Sequence, residues 1–166
     1  NHCSGLNGTR FAVVRYGNVA KSRGSVIPIF QELAPSGTLP VTDRRMTRFW
    51  ISIDDAVQFV VDSVQRMRHG GELFVPRIPS TRIIDLAEAI APGCKIEETG
   101  IRPGEKLHEE MIAAEDSRRT RMFDDYYVMQ PVLSAWGGET LMLGDPVPEG
   151  FCYRSDSNED WLSVEQ

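Results

Sequence analysis

Apolar runs separated by Gly, Pro and polar residues predict an alternation of short strands and helices along the chain. Strands are predicted at 11–16, 39–43, 47–53, 72–76 and 95–99, with a further edge strand within 122–131. The first helix is predicted to begin near Ser25 and to end at Pro35 and Gly37, because serine favours an N-cap and the other two stop a helix. This alternation of elements predicts the α/β class.

A second predicted helix occupies residues 52–67 and carries an apolar stripe at helical spacing. The stripe consists of Ala56, Val57, Val60, Val61, Val64 and Met67. Gly70 and Gly71 are expected to end this helix. Two more helices are predicted at 80–90 and, more briefly, at 105–112. The stripe is expected to face a core.

Length and composition predict one folded domain over residues 1–166, since 166 residues with 41% apolar content can bury a core. From Ser134 onward Gly, Pro and acidic residues dominate, which predicts a peripheral segment, 134–166, that docks through Trp161 and Leu162.

Charge and cysteine content limit the possible binding partners and cellular compartments. The net charge of -6 argues against a nucleic-acid partner, and no apolar run approaches a membrane span. The three cysteines are odd in number and far apart, which is typical of a reducing cytoplasm.

The stretch "GIRPGEKLHEEM" raises the question of a metal or an anion site. A helical zinc motif needs a second histidine four residues after His108, where the chain has Ile112, so no metal site is predicted. The Pro-Gly turn instead brings Arg102 and Glu105 to one side. The guanidinium suits phosphate and the carboxylate suits ribose hydroxyls, although on this segment alone a surface ion pair is the slightly better explanation.

Two further segments carry similar chemistry. In "TDRRMTRFWI", Arg48 directly precedes a bulky strand, whereas at least one of Arg44 and Arg45 is expected to be solvated. In "RYGNVAKSRGSVIP", Asn18 follows the first strand, and the next helix begins at Ser25 with free amides that suit phosphate. Three segments that each join a turn to an anion-binding group favour a diphosphate ligand.

The stretches "RYGNVAKSRGSVIPIF", "VTDRRMTRFWI", "GGELFVPRIPS" and "IRPGEKLHEEMI" occur in this order. In this respect the chain resembles the inverting UDP-N-acetylglucosamine 4,6-dehydratases of the extended short-chain dehydrogenase/reductase superfamily, from about Arg10 to Ile112 and more faintly to the end. The resemblance implies a Rossmann-like α/β fold and an NADP-dependent reaction. In that reaction C4 of the sugar is oxidised, water is eliminated across C5 and C6, and C5 is inverted.

The resemblance also implies roles for individual residues. Asn18 and the backbone around Val26 would touch the diphosphate and the sugar of a UDP-sugar. Arg48 and Arg102 would hold phosphates, and Glu105 would hold the uridine ribose. Ser25 and Thr42 would be neighbours of the ligand.

Two motifs of such an enzyme are not found in the 166 residues. Gly5 and Gly8 are followed by Phe11 and not by a third glycine, and no tyrosine is followed by a lysine four positions on. No catalytic residue is therefore assigned. The chain is expected to be the C-terminal, substrate-binding half of the fold without the N-terminal dinucleotide-binding half, inactive alone and with no NADP bound to it alone.

Two alternatives remain open. The same diphosphate-binding residues would serve a nucleotide-sugar epimerase. A non-catalytic nucleotide-binding or assembly module would explain why the catalytic Tyr–Lys pair is missing. If the chain is half of a doubly wound sheet, an uncovered strand edge favours pairing with another copy, so a homo-oligomer is expected.

Overall fold

The computed structural model describes residues 8–22, 24–131 and 143–164. Within these ranges the helices are α1 (Val26–Leu33), α2 (Ile53–Arg66) and α3 (Ile83–Ile90). The strands are β1 (Val13–Val14), β2 (Asn18–Val19), β3 (Thr38–Val41), β4 (Thr47–Ile51), β5 (Leu73–Pro76), β6 (Ser80–Arg82), β7 (Lys95–Glu98), β8 (Glu110–Ile112), β9 (Thr120–Met122), β10 (Tyr126–Met129), β11 (Asp145–Pro146) and β12 (Tyr153–Arg154). Helices and strands alternate as predicted, and the α/β class is confirmed.

The described residues form two compact units. Unit 1 contains residues 8–16, 54–77, 111–131 and 143–153. Unit 2 contains residues 17–22, 24–53, 78–110 and 154–164. Each unit is assembled from stretches that are distant in sequence, because strands from different parts of the chain pair within it.

Unit 1 is built on a five-stranded sheet in the order β1-β5-β10-β9-β11. The β1–β5 pair is parallel, and the other pairs are antiparallel. The predicted edge strand, β10, lies in the interior of this sheet between β5 and β9, and its residues Tyr127, Val128 and Met129 are buried. Aromatic and branched residues suit such a position, because both faces of an interior strand are covered.

Helix α2 packs on this sheet with a different face from the predicted one. Phe59 joins Phe74 and Val128 in the core of unit 1, and Ala56 and Ser63 on the same helix face are also buried. The valines of the predicted stripe are exposed, with 56% of Val57 and 64% of Val64 accessible. Of the predicted stripe, Ala56 and Met67 therefore lie on the core side and the four valines do not, because the larger Phe59 selects the neighbouring face of the helix.

Unit 2 contains two small sheets and two helices. Strand β4 pairs in parallel with β2 and antiparallel with β6, and β3 pairs in parallel with β7. Helices α1 and α3 pack against β3, which gives a core of Phe30, Leu39, Val41, Ala87 and Ala91. The strand predicted at 39–43 is observed as β3, with Leu39 and Val41 pointing to the same, buried side.

Two predicted helices differ from the observed elements. The helix predicted at 80–90 begins only at Ile83, because residues 80–82 pair with β4 as strand β6. The helix predicted at 105–112 does not form, and its last residues enter β8. The carbonyls of Lys106 and Leu107 accept hydrogen bonds from Arg48 and from the Thr47 amide, so they are not available to an i→i+4 ladder.

The C-terminal segment is more deeply packed than its composition suggests. Residues 134–142 lie outside the described residues, but Val147 and Tyr153 are buried in unit 1 and Ser155 is fully buried in unit 2. Within unit 2, residues 158–162 lie beside strand β6. The Leu162 amide donates to the Ser80 carbonyl at 2.8 Å, and the Ser80 amide donates to Asp160 at 2.9 Å. The segment therefore docks at Trp161 and Leu162, as predicted, and it does so as a strand-like extension beside Ser80.

Candidate functional site

Unit 2 contains a cavity of about 360 Å³ that is open to solvent. Six of the seven residues predicted to bind a ligand line it, namely Asn18, Ser25, Val26, Thr42, Arg48 and Glu105. The remaining wall is formed by Val19, Ser22, Gly24, Phe30, Pro40, Val41, Met46, Trp50 and Ile83. The volume lies within the range of roughly 300–1,000 Å³ that is usual for small-molecule sites.

Asn18 reaches the cavity because β2 lies unusually close to β4. A Cβ atom on Gly17 would come within 2.5 Å of the Phe49 Cβ and 2.6 Å of the Phe49 carbonyl oxygen. Only glycine therefore allows this approach, which places Asn18 opposite Trp50 in the parallel pair.

The N-terminus of α1 opens into the cavity. Ser25 has the extended backbone of an N-cap residue, but its hydroxyl makes no capping hydrogen bond. Its Oγ atom is buried and has no hydrogen-bond partner in the part of the chain that the structure describes. The first turn of α1 contains no acidic residue, so its amides and the positive end of the helix dipole lack an anionic counterpart there. A polar or anionic ligand group would satisfy both.

Arg48 is buried, with 9% of the residue exposed, and its guanidinium is bound by the protein itself. Nη1 donates to the carbonyls of Thr47 at 2.8 Å and Leu107 at 3.0 Å. Nη2 donates to the Lys106 carbonyl at 2.9 Å. Arg48 therefore ties strand β4 to the loop that carries Glu105, and a phosphate would have to compete with these carbonyls.

Ion pairs surround the same guanidinium. Its Nε lies 3.5 Å from the Glu109 carboxylate, and Nη2 lies 4.0 Å from that of Glu105. Within the described residues that line the cavity, Arg48 and Glu105 are the only ionisable side chains. These two opposite charges suit the binding and orientation of a polar ligand.

The predicted Pro-Gly turn forms and brings Glu105 to the cavity. The Glu105 amide donates to the Arg102 carbonyl at 3.0 Å, and Gly104 has a φ of 82°. The Arg102 amide in turn donates to the Glu105 carboxylate at 3.3 Å. The Arg102 side chain, in contrast, is exposed and does not line the cavity. Its contact with a phosphate stays a prediction.

Arg44 and Arg45 are both exposed and turn to carboxylates other than Glu105. Arg45 binds Asp43 through Nε–Oδ1 at 3.0 Å and Nη2–Oδ2 at 2.7 Å, and this pairing lowers the pKa of Asp43 to about 2. Arg44 lies 3.9 Å from Glu98. As predicted, Arg48 is the arginine of this cluster that faces the cavity.

Trp50 is the main cavity residue that the sequence analysis did not single out. It stands two positions after Arg48 on β4, and side chains at that spacing share one face of a strand. This alternation was a usable signal, because Arg48 had already been assigned to the site. Its indole face offers a surface on which a base or a sugar could stack.

His108 was considered as a metal ligand and lies in the same region. The described residues contain no group of three or more His, Cys, Asp or Glu side chains that could hold a metal ion. The His108 Nδ1 instead bonds the Thr47 hydroxyl at 2.8 Å, and that hydroxyl bonds Ser155 at 2.7 Å. The structure places His108 half-buried in this network.

Comparison with known proteins gives three kinds of match. A family model described as polysaccharide biosynthesis protein matches residues 1–131. A UDP-N-acetylglucosamine 4,6-dehydratase (inverting) from Campylobacter jejuni is 47% identical over all of this chain and 52% of its own length. A UDP-glucose 4-epimerase from Rickettsia canadensis is 38% identical over 74% of this chain and 37% of its own length.

A solved structure is also similar. Pen from Bacillus thuringiensis superposes on 97% of this chain with a TM-score of 0.81 and 31% identity, over 49% of the Pen chain. The chain thus spans about half the length of the Campylobacter relative and of Pen. In the described part of this chain, none of the helices combines the length and apolar character that a membrane-spanning segment requires.

Proposed function

The chain belongs to the polysaccharide biosynthesis protein family, and from this premise we propose that its unit 2 cavity binds the UDP-sugar of a C5-inverting UDP-N-acetylglucosamine 4,6-dehydratase. The motif-based resemblance is confirmed by the 47% identity to the Campylobacter enzyme. The chain is then the sugar-nucleotide-binding portion of such a protein. A cytoplasmic location and a homo-oligomer remain predictions that accompany this proposal.

The observation that carries the proposal is the unsatisfied Ser25 hydroxyl at the N-terminus of α1. A buried hydroxyl without a partner costs free energy, and a diphosphate oxygen at this position would accept its hydrogen bond. The neighbouring Val26 amide belongs to the first turn of α1, where N–H groups have no intrahelical acceptor. A diphosphate at this point would therefore be held by neutral donors and the helix dipole.

The other cavity residues fit the rest of a UDP-sugar. The Glu105 carboxylate accepts hydrogen bonds from vicinal hydroxyls, which suits the uridine ribose. Asn18 offers an amide to the sugar or the diphosphate, and Thr42 offers a hydroxyl. In this arrangement Arg48 acts as a positioning residue that holds the Glu105 loop, and Arg102 is left to approach a phosphate from solvent.

No contact with a nicotinamide dinucleotide is assigned to the described residues. After β1 the chain passes through Gly17 directly into β2, whereas a dinucleotide site needs a glycine-rich turn that opens a helix. The NADP expected for the parent enzyme is therefore not assigned to any residue here, and no redox step is derived from this chain. The part that we propose for it is to bind and orient the substrate.

Isothermal titration calorimetry with UDP tests the proposed site. Ser25→Ala and Arg102→Ala are expected to weaken UDP binding several-fold, because each removes a phosphate donor. Arg118→Ala is the matched control, since Arg118 is an exposed arginine of unit 1 that pairs with Glu149. Equal UDP affinity in all three variants would refute the proposed site.

An epimerase is the second candidate, favoured by the 38% identity to the Rickettsia enzyme. The two activities use the same kind of diphosphate-binding residues but form different products. Mass spectrometry of UDP-N-acetylglucosamine incubated with the full-length protein distinguishes them, because a dehydratase product has lost one water and an epimerase product has the substrate's mass. An unchanged mass together with a new sugar isomer would support the epimerase.

A further inference from the structure

Unit 1 contains a pocket of about 100 Å³ that lies outside the proposed UDP-sugar site. Its walls are mainly apolar and aromatic, formed by Phe74, Phe123, Tyr126, Val128 and Leu143. The polar lining consists of Arg66, Arg68, His69 and Glu72, from the stretch between the end of α2 and the start of β5, together with Gln130. The pocket thus joins an apolar body to a charged end.

Three buried polar atoms at this end have no hydrogen-bond partner among the described residues. They are Arg66 Nη1, His69 Nε2 and Glu72 Oε2. Buried polar atoms are nearly always paired in folded proteins, because an unpaired one has given up its hydrogen bonds to water without replacing them. Three such atoms lining one pocket indicate that something polar occupies it.

Glu72 is held rigidly in this arrangement. Only 3% of the residue is exposed, and its Oε1 accepts hydrogen bonds from the amides of Arg68 at 2.9 Å and His69 at 2.8 Å. These bonds close the turn after α2 and fix the orientation of the carboxylate. The second oxygen is left as an acceptor without a donor.

Arg66 is held as rigidly. Its Nη2 donates to Asp125 at 3.0 Å, and its guanidinium carbon lies 4.1 Å from the centre of the Tyr126 ring. Tyr126 stacks on Phe123, with ring centroids 4.5 Å apart and an interplanar angle of 2°. The cation–π contact and the ion pair fix the guanidinium, so Nη1 remains as a donor without an acceptor.

We propose that this pocket binds a small neutral molecule that carries a hydroxyl or amide head on an apolar body. Such a head accepts a hydrogen bond from Arg66 and donates one to Glu72 at the same time. A carboxylate would meet the Glu72 charge, and an ammonium group would meet the charges of Arg66 and of the more exposed Arg68, so the two signs of charge favour a neutral head. The aromatic walls suit a ring or a short alkyl chain.

The volume limits the size of this molecule. A cavity of about 150 Å³ holds benzene in another protein, so a pocket of about 100 Å³ suits a single ring or less. The mouth adjoins Leu143, which is 46% exposed, so part of a ring can extend toward solvent. Phenol and toluene are suitable probes, because they share a ring and differ in the hydroxyl.

Protein-observed NMR with the full chain tests the proposal. Phenol is expected to shift the amide signals of Arg68 and His69 and to bind at least about tenfold more tightly than toluene, since hydrogen bonds to charged groups are the strong ones. Benzoate and benzylammonium are expected to bind more weakly than phenol. If phenol binds no more tightly than toluene or leaves both amides unshifted, ordered water alone fills the polar end and the proposal fails.

Two variants make the test specific. Glu72→Gln keeps the shape and an acceptor for the two amides but removes the negative charge, so benzoate is expected to gain at least about tenfold in affinity. Glu115→Gln, at an exposed glutamate of unit 1, is the control and is expected to change nothing. Unchanged benzoate binding in folded Glu72→Gln would contradict the assigned role of Glu72.

A second variant does not disturb the buried turn. Leu143→Trp places a bulky side chain at the mouth and is expected to abolish phenol binding while leaving the unfolding midpoint unchanged. Val64→Trp is the matched control, because Val64 is 64% exposed and does not line the pocket. If phenol binds equally well to both tryptophan variants, it binds elsewhere and the assigned pocket is wrong.

Discussion

The unit 2 cavity and the unit 1 pocket differ in how the protein treats their buried charged groups. In unit 2 the most deeply buried charged side chain at the cavity, Arg48, is already bound to backbone carbonyls. In unit 1 buried polar atoms of Arg66, His69 and Glu72 have no hydrogen-bond partner among the described residues. The difference shows that a buried arginine at a cavity is not by itself a ligand-binding group, because its donors can be used up by the fold.

The largest effect that would sharpen this comparison is expected for Arg48→Ala. Removing the guanidinium takes a donor from each of the carbonyls of Thr47, Lys106 and Leu107, of which Leu107 keeps the Thr47 amide, so the free energy of unfolding should fall by about 3 kcal/mol. Urea unfolding of Arg48→Ala and Arg102→Ala measures it. Arg102 is exposed, and its variant should stay within about 0.5 kcal/mol of the parent chain. Equal losses in the two variants would remove the structural role of Arg48.

A smaller loss is expected in unit 1 for Glu72→Ala. The amides of Arg68 and His69 lose their acceptor, which should lower the free energy of unfolding by about 2 kcal/mol. Glu72→Gln should lose less, since its amide oxygen still accepts. The same urea experiment measures both, with Glu115→Ala as the exposed control. A Glu72→Ala variant as stable as this control would show that the carboxylate does not hold the turn.

Ser25→Ala should separate binding from stability. A working N-cap typically contributes about 1 kcal/mol, but the Ser25 hydroxyl makes no capping bond, so the loss in unfolding free energy should stay below about 0.5 kcal/mol. Affinity for UDP should nevertheless fall several-fold. Ser36→Ala is the contrast, because its hydroxyl donates to the Leu33 carbonyl at 2.7 Å. A clear stability loss in Ser25→Ala would mean that its hydroxyl caps α1 in solution.

The smallest effect concerns Asp43, on the turn before β4. Arg45 lowers the pKa of Asp43 from 3.8 to about 2, so the stabilisation by this pair is complete above about pH 4 and is lost as the pH falls through 2. Arg45→Ala should raise the pKa of Asp43 toward 3.8, because the guanidinium is the largest cause of the shift. An NMR titration of the Asp43 carboxyl carbon measures it. An unchanged pKa in the variant would show that Arg45 does not pair with Asp43 in solution.

Residues that line the unit 2 cavity were accessible to prediction because they lie in short contiguous motifs. The Pro-Gly turn predicts the position of Glu105, and the glycines before Ser25 predict the start of α1. Both follow from local backbone preferences, which depend on residues a few positions apart. The hydrogen bonds of the Arg48 guanidinium join it to residues 58 and 59 positions away, so no pattern of neighbouring residues predicts them.

The unit 1 pocket shows the opposite case. Arg66, His69 and Glu72 are close in sequence and look like an ordinary charged turn after a helix. Their significance depends on Tyr126 and Phe123, which come from β10 and the turn before it. The exposure of the α2 valines was not foreseen for a related reason, since periodicity identifies an apolar face but does not decide which face packs against another element.

The sequence by itself determined the α/β alternation, the family and six of the residues around the unit 2 cavity, because propensity, turn chemistry and motif order are local properties. The tertiary structure alone decided that Arg48 is bound by the fold, that β10 lies inside a sheet and that three polar atoms in unit 1 are left without partners. These depend on which distant segments meet, and hydrogen-bond satisfaction is settled only when every donor and acceptor has its place.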